Sequence, residues 1–330
     1  MPVASADCAR LCAPYAAPVR AASLTFPGLI LFATSAHLAV GILTHTLWLW
    51  RGNQALFRYY FSYQDPLFLL LCTVTEVSMS YVAWKQFSPG QPLRRAWLLI
   101  MISALCQVVG MILAHILTAH SYINPLYIFH LSWLKTAPAI LLPLGAFIGG
   151  PIHMVALGGG LYLAFRLCRR FEARRKLKAV DWIILGFVLA YTFMVAYVVV
   201  RMRWGAKPPL RFAEVMNWAN DPLLCVLLFF AFFLRRSLVQ MGWGFVTKCW
   251  GVYVVAILGT SLASMGMWFT NFSILPYPES AILWYVWPII YAAYALGPVY
   301  QVEAARVALE RLDDVSSEPS LDVPMGSYRM

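Results

Sequence analysis

Seven runs of this sequence are each long and apolar enough to cross a lipid bilayer as a helix, and nothing else constrains the chain as strongly. A spanning helix requires about 20 apolar residues. The qualifying runs cover roughly 26–50, 66–87, 96–118, 182–200, 223–241, 245–269 and 281–301. Lipid-exposed backbone must satisfy its own hydrogen bonds, so every span reads as an α-helix. The composition agrees: 61% of residues are hydrophobic and 12% charged, and no soluble fold hides that much apolar surface beneath so few charges. With 15% aromatic residues, low complexity and disorder are excluded. The net charge of +11 lies between the apolar spans rather than on one amphipathic face. It therefore reads as loop charge that orients helices, not as a nucleic-acid footprint.

The stretch 126–171 is ambiguous. Its length allows two crossings with Gly149-Gly150-Pro151 as the turn, or one crossing with a re-entrant or interfacial piece. The total is eight or nine spans. The densest basic segment, Arg169 to Lys178, is expected on the cytoplasmic side, with Arg235, Arg236, Lys248 and the chain after Gln301 beside it. Two crossings within 126–171 would put Lys85, Arg94 and Arg95 on the opposite side, against the charge rule. One net crossing would put them on the same side. Charge favours one crossing and length favours two.

The chain repeats a pattern. Gln64-Asp65-Pro66-Leu67 opens the second span and Asn220-Asp221-Pro222-Leu223 opens a later one. A basic turn, a span, a proline-containing loop and a last span follow each. The last spans end in Leu141-Leu142-Pro143-Leu144-Gly145 and Tyr294-Ala295-Leu296-Gly297-Pro298. The spacing of 156 residues is too long for a solenoid. The expected fold is an all-α polytopic membrane protein of two four-helix units. The expected divisions are an N-terminal segment 1–25, a first unit 26–147, an extra apolar segment and basic linker 148–181, a second unit 182–305, and a disordered polar tail 306–330.

Ionisable residues inside spans are costly and mark candidate sites. Glu76 lies eleven residues beyond Asp65, roughly 16 Å into its helix, near mid-membrane. Withdrawn from water, its carboxyl is expected to hold its proton and to be able to act as an acid. A neutral carboxyl bridging helices is the structural alternative, and pairing with Lys135 would keep Glu76 ionised. The matching position in the second unit is Phe232, which places chemistry in the first unit. Asp65 and Asp221, each followed by proline, read as N-caps with proline at the first helical position, with a site role as the second reading. His37 and His45 share one face of the first span two turns apart, too far to share a metal. His115 lies deep in the third span. Trp84, Trp133, Trp284 and Trp287 are interfacial belt residues singly; together they are candidate substrate-binding faces able to steady a cation where water cannot reach.

No nucleophile elbow, phosphate loop, dinucleotide fingerprint or zinc-protease motif occurs. The seven cysteines form no C-x-x-C pair and read as packing residues. Gly158-Gly159-Gly160 is expected to permit close helix packing. No metal and no cofactor is expected: ionising a diphosphate would need Mg²⁺ held by clustered carboxylates, and the Asp and Glu residues total only 14, mostly in loops and tail. Asn271-Phe272-Ser273 is a glycosylation acceptor pattern in a loop expected to be lumenal.

Several short motifs occur in an order that resembles the emopamil-binding/EXPERA superfamily, which includes sterol Δ8-Δ7 isomerase and the sigma-2 receptor protein. They are Ala36-His37-Leu38-Ala39-Val40, Asp65-Pro66-Leu67, Gln91-Pro92-Leu93-Arg94, Gln107-Val108-Val109-Gly110, Asn124-Pro125-Leu126-Tyr127 and Leu142-Pro143. The second unit looks like another copy, and its Tyr294–Pro298 ending is similar to the transmembrane 6 superfamily, which carries such units in tandem. The isomerases place a glutamate four residues after the first-helix histidine, where this chain has Gly41. Their second acid matches Ala119, after Thr118, and their last-helix asparagine falls near Thr136. Only His37 is retained. Glu76 is similar to the second-helix glutamate of the sigma-2 branch.

The chain also resembles fungal integral-membrane terpene cyclases, some related distantly to this superfamily. That resemblance implies a cyclase or lyase of meroterpenoid biosynthesis, a secondary metabolism. It would protonate an alkene or epoxide of a hydrophobic prenylated substrate. The expected roles are Glu76 as acid, Asp65 or Asp221 assisting, His37 orienting or reprotonating, and Trp and Tyr faces steadying the cation. The rivals are a sterol isomerase acting on a sterol-like molecule, a non-enzymatic sterol- or lipid-binding regulator, and a transporter. The resemblance implies the endoplasmic reticulum, with membrane lipid and the hydrophobic small molecule as partners and no nucleic acid.

Overall fold

The computed structural model describes residues 25–52, 55–113, 144–145, 147–168, 178–205, 212–240, 245–271 and 285–317. Among these the helices are α1 (Phe26–Arg51), α2 (Ala55–Tyr59), α3 (Asp65–Lys85), α4 (Pro92–Met111), α5 (His153–Cys168), α6 (Ala179–Gly205), α7 (Phe212–Gln240), α8 (Phe245–Asn271) and α9 (Val286–Ser317). A π-helical turn, Tyr60–Gln64, joins α2 to α3, and another, Ile148–Ile152, leads into α5. No strand occurs among the described residues. Six helical segments are long and apolar enough to cross a membrane: Phe26–Arg51, Asp65–Lys85, Pro92–Met111, Ile148–Leu167, Ala179–Tyr197 and Thr247–Met265. The protein is all-α, with the helices of a membrane protein.

The outward faces of the helices are apolar, and the inward stripe of α1 is largely polar. In α1 the buried positions are Thr34, His37, Gly41, Thr44, His45 and Trp48, spaced as one helical stripe. Its outer face presents Phe32, 68% exposed, and Leu29, Ile42 and Leu43. In α6, Phe193 is 73% exposed while Tyr191 is fully buried. In water such a surface would aggregate; in lipid it is the solvated face.

Packing order defines a closed ring of six helices. α3 packs on α4, α4 on α5, α5 on α7, α7 on α8, α8 on α9, and α9 back on α3. α1 lies against α9 and α6 against α7, outside the ring. The core is largest where Trp97 of α4 meets Trp250 and Tyr253 of α8.

The direction of each helix follows from its contacts. A Cβ on Gly110 would come within 2.5 Å of Gly149 Cα, so the end of α4 and the start of the α5 segment touch backbone to backbone. Further along, Gln107 donates its amide N–H to His153 Nε2 at 3.0 Å, leaving His153 Nδ1–H to donate to Ser103, whose Oγ is 2.7 Å away. Gly160, nearer the other end of α5, faces Ile100 and the Ala96 carbonyl. α4 and α5 are therefore antiparallel, and Lys85, Arg94 and Arg95 share an end of the ring with Arg166, the arrangement that the charge argument favours. Arg235 pairs with Asp181, which brings the end of α7 and the start of α6 to that same end. Gly149-Gly150-Pro151 is not a reversal between two spans. It sits in the π-helical turn, where the wider helix tolerates the missing N–H of Pro151.

Three other expectations change. Asp221 does not cap a helix: α7 begins at Phe212 and runs through Asp221 and Pro222 without ending. Asp65 makes no capping bond either, because the π-helical turn already leads into α3 in helical geometry and the residue before the helix is Gln64. The chain after Arg306, expected to be disordered, is helical to Ser317. Its alanines and leucines are strong helix formers, and Glu303 pairs with Arg306 at 2.9 Å one turn on.

Candidate functional site

α3 carries the chemistry along one stripe. Asp65, Phe68, Cys72, Glu76, Ser80 and Ala83 recur at three-, four- and seven-residue intervals and so share a face. All but Phe68 are buried. That face turns toward α9 and α8.

Glu76 lies near the middle of the stripe and is 2% exposed. The hydroxyls of Tyr253 on α8, and of Tyr291 and Tyr294 on α9, lie within electrostatic reach of its carboxyl. Tyr253 lies close to both Glu76 and Ser80. Its orientation is nevertheless poor: Glu76 Oε2, Ser80 Oγ and Tyr253 Oη are all buried with no well-aligned hydrogen bond. Buried polar atoms are almost always paired, and three without an aligned bond so close together make this the candidate site. Tyr253 reaches it because Gly297 has no side chain; a Cβ there would sit 2.2 Å from the Tyr253 ring. The aromatic surround continues from Tyr253 to Trp250 at 6.0 Å, Tyr294 at 5.9 Å and Trp97 at 6.5 Å between ring centroids.

A second centre forms where α3 begins. His37 Nε2 and Asp65 Oδ1 are 2.9 Å apart, both buried. The imidazole stacks on Phe68 at 4.3 Å and 9°, and on Tyr60 at 4.9 Å. Gly41, four residues after His37, makes room for this arrangement. A Cβ there would lie 2.6 Å from the Tyr60 ring and 2.7 Å from Tyr285, and Tyr285 donates its hydroxyl to the Gly41 carbonyl at 2.8 Å. Two tyrosines thus fill the space that a side chain at position 41 would need. His45, two turns on, packs among Trp48, Phe57 and Tyr285.

The third centre is Asp221. Tyr191 of α6 donates to its Oδ1 at 3.0 Å, and Ser264 of α8 donates to the same oxygen at 2.6 Å.

The predicted residues therefore divide. His37 and Asp65 come together with each other, not with Glu76, since Asp65 is about 16 Å along α3 from it. Asp221 stands apart as well: its partner Ser264 is eleven residues along α8 from Tyr253, again about 16 Å. Neither aspartate can assist Glu76 by direct contact. Trp84 sits at the end of α3 beneath the Arg94 guanidinium, 4.9 Å from its ring, as an interfacial residue does. Trp287 is half-buried, 6.3 Å from Tyr291. Trp133, Trp284, Lys135 and His115 lie outside the described residues, as do Phe272 and Ser273 of the acceptor pattern.

Sequence reasoning missed Trp250, Tyr253, Tyr294 and Ser80, and the His153–Ser103–Gln107 cluster. Ser80 was findable, being one turn beyond Glu76. The aromatics on α8 and α9 were not, because only tertiary packing brings them to α3. Among the described residues no group of three or more His, Cys, Asp or Glu is placed to hold a metal ion. Comparison with known proteins returns no match, whether against family models, characterised sequences or solved structures.

Proposed function

We propose that this protein is an integral-membrane cyclase that starts carbocation chemistry by protonating an alkene or epoxide of a hydrophobic, prenylated substrate, with Glu76 as the acid. The observation that carries the reading is Glu76 itself: a carboxyl at mid-helix whose Oε2 has no aligned partner, facing three tyrosine hydroxyls and an aromatic wall. The carboxyl proton would pass to the alkene carbon or the epoxide oxygen. A neighbouring double bond would then close the ring with its π electrons, and the last cation would lose a proton to a base, so that substrate and product are isomers. Tyr253, Tyr294, Trp97 and Trp250 would face the cation with negative ring faces. General acid catalysis of this kind contributes about 10²–10⁴-fold. Because side chains enclose Glu76, the substrate must displace some of them, and Tyr253, held by no aligned bond, is the group that yields.

The finer architecture belongs to the same proposal. We read the chain as two units in tandem, 26–147 and 182–305, with α3 and α4 answering to α7 and α8. The equivalent positions of His37–Asp65 and Tyr191–Asp221 favour that reading. We place the protein in the endoplasmic reticulum, in meroterpenoid metabolism.

The test is turnover in microsomes carrying the full chain, given a farnesylated phenol and its terminal epoxide. A cyclic product of unchanged mass, lost in Glu76→Gln with the protein still present at normal level, is the expected result. Full turnover by Glu76→Gln would remove Glu76 from the acid role. Conversion of a Δ8-sterol instead would make the protein an isomerase, and sterol binding without conversion would make it a regulator.

A further inference from the structure

The outer surface of the ring carries a second feature, independent of Glu76. Between α5 and α7 runs an apolar groove of about 280 Å³, lined by Met154, Gly158, Gly159, Tyr162, Leu227 and Phe230. It faces outward: Val155 and Val226, which also line it, are 61% and 51% exposed. The two helices run parallel here. Gly158 faces Leu227, Tyr162 meets Phe230 at 5.9 Å, and Phe165 meets Phe233 at 6.0 Å, so contacts advance together along both. The groove thus lies along the membrane normal, as a lipid chain does.

One end of this groove is charged. Val155, Gly159, Tyr162 and Arg166 are spaced four, three and four residues apart, so they form one stripe on α5. Arg166 is exposed and lies one turn, about 6 Å, beyond Tyr162. The neighbouring helix ends add Lys178, Arg235, Arg236 and Lys248. Among the described residues the acid at this end of α5 to α8 is Asp181, and its carboxylate already accepts bonds from Arg235 and from the Lys178 backbone N–H. Among the described residues of this helix group the positive charge of Arg166 is therefore not answered, and the sequence between α5 and α6 carries one acid, Glu172, against Arg169, Arg170, Arg174, Arg175 and Lys176.

We propose that this surface binds an anionic phospholipid, with one acyl chain in the α5–α7 groove and the phosphate at Arg166. A neutral lipid would satisfy the groove but leave the arginine without a partner. A second copy of the chain fits worse. Copies in one bilayer share an orientation, so a two-fold contact at this face would bring Arg166 against Arg166 at the same depth. Phosphate and arginine form charge-assisted, often bidentate hydrogen bonds, and each basic residue near an anionic headgroup contributes about 1 kcal/mol.

The experiment uses the full-length protein, purified in detergent and stripped of lipid. Thermal unfolding and native mass spectrometry are followed on adding phosphatidylglycerol, phosphatidylcholine or inorganic phosphate. Phosphatidylglycerol is expected to bind one per chain and raise the unfolding temperature, with the other two far weaker. Arg166→Gln is expected to weaken binding about fivefold. Val226→Trp, which fills the groove from an exposed position, is expected to weaken it at least as much. Val155→Trp serves the same purpose if Val226→Trp does not fold, and variants are compared only where unfolding without lipid is unchanged. Equal binding of phosphatidylcholine would overturn the proposal. So would full stabilisation by phosphate alone, sensitivity to Arg166→Gln without sensitivity to the groove variants, or a dimer that survives in the presence of lipid.

Discussion

Asp65 and Asp221 sit in the same four-residue context, an amide residue before and Pro-Leu after, and both are buried. They are nonetheless different chemical centres. Asp65 faces an imidazole at 2.9 Å, a partner able to carry positive charge. Asp221 accepts hydrogen bonds from two hydroxyls, of Tyr191 and Ser264. In each case a partner comes from the helix before, α1 or α6. The motif places a carboxyl; the preceding helix decides what the carboxyl is for. Eleven residues on the two regions part again: α3 has Glu76, which faces Tyr253, where α7 has Phe232, 4% exposed. The first region concentrates ionisable groups, and the second replaces them with hydroxyls and hydrocarbon.

The largest expected effect breaks the comparison at that later position. Glu76→Gln is nearly isosteric and keeps a hydrogen-bonding group beside Tyr253, yet it has no acidic proton. Turnover of the prenylated substrate is expected to fall at least about 100-fold, with unfolding temperature little changed. Phe232→Leu should leave turnover within about twofold, since it removes only packing, at a cost of about 1 kcal/mol in stability. Equal losses from both would mean that the two regions share the chemistry.

The next effect concerns the His37–Asp65 pair. His37→Phe preserves ring stacking on Phe68 and Tyr60 but removes Nε2, leaving Asp65 buried without its hydrogen-bonding partner. Leaving a buried polar group unsatisfied costs about 1–3 kcal/mol. Unfolding in detergent should show that loss, and His37→Phe combined with Asp65→Leu should recover part of it. A single variant as stable as the parent would show that the pair adds nothing to stability.

Much of this layout was legible in the sequence, for reasons that differ from residue to residue. Run length and charge gave the helices, and the rule of loop charge correctly put Lys85, Arg94 and Arg95 with Arg166 where length had argued otherwise. Glu76 stood out because a carboxyl amid apolar residues has few explanations. The pairing of His37 with Asp65 was hidden: a helix crossing 28 residues away in sequence leaves no local periodicity. The capping reading of both aspartates failed because a π-helical turn, in one case, and continuous helix, in the other, extend upstream of the proline. Gly41 was not legible as the space into which Tyr60 and Tyr285 fit, because both tyrosines reach it only through tertiary packing.

That space gives a sharper test of the first region. Gly41→Val would drive a side chain into two tyrosine rings, one of which stacks on His37. Overpacking of this kind costs about 1–3 kcal/mol, and here the displaced Tyr60 would also loosen the imidazole. Gly186 of α6 has nothing within 4 Å of an added Cβ, so Gly186→Val is expected to be neutral within about 0.5 kcal/mol. Detergent unfolding of the two variants reads the difference directly.

The smallest effect lies at Asp221 and closes the comparison from the other side. Tyr191→Phe removes one of two hydroxyls bonded to the same oxygen, and Ser264 still donates to it at 2.6 Å. One donor to that oxygen remains, and hydrogen bonds between membrane helices average about 0.6 kcal/mol. Stability should therefore drop by about that amount, several-fold less than for His37→Phe, although both variants delete one donor to a buried aspartate from the preceding helix. A matched loss would mean that Asp221 is ionised and depends on its hydroxyls as Asp65 depends on its imidazole. The two regions would then differ in partner but not in charge.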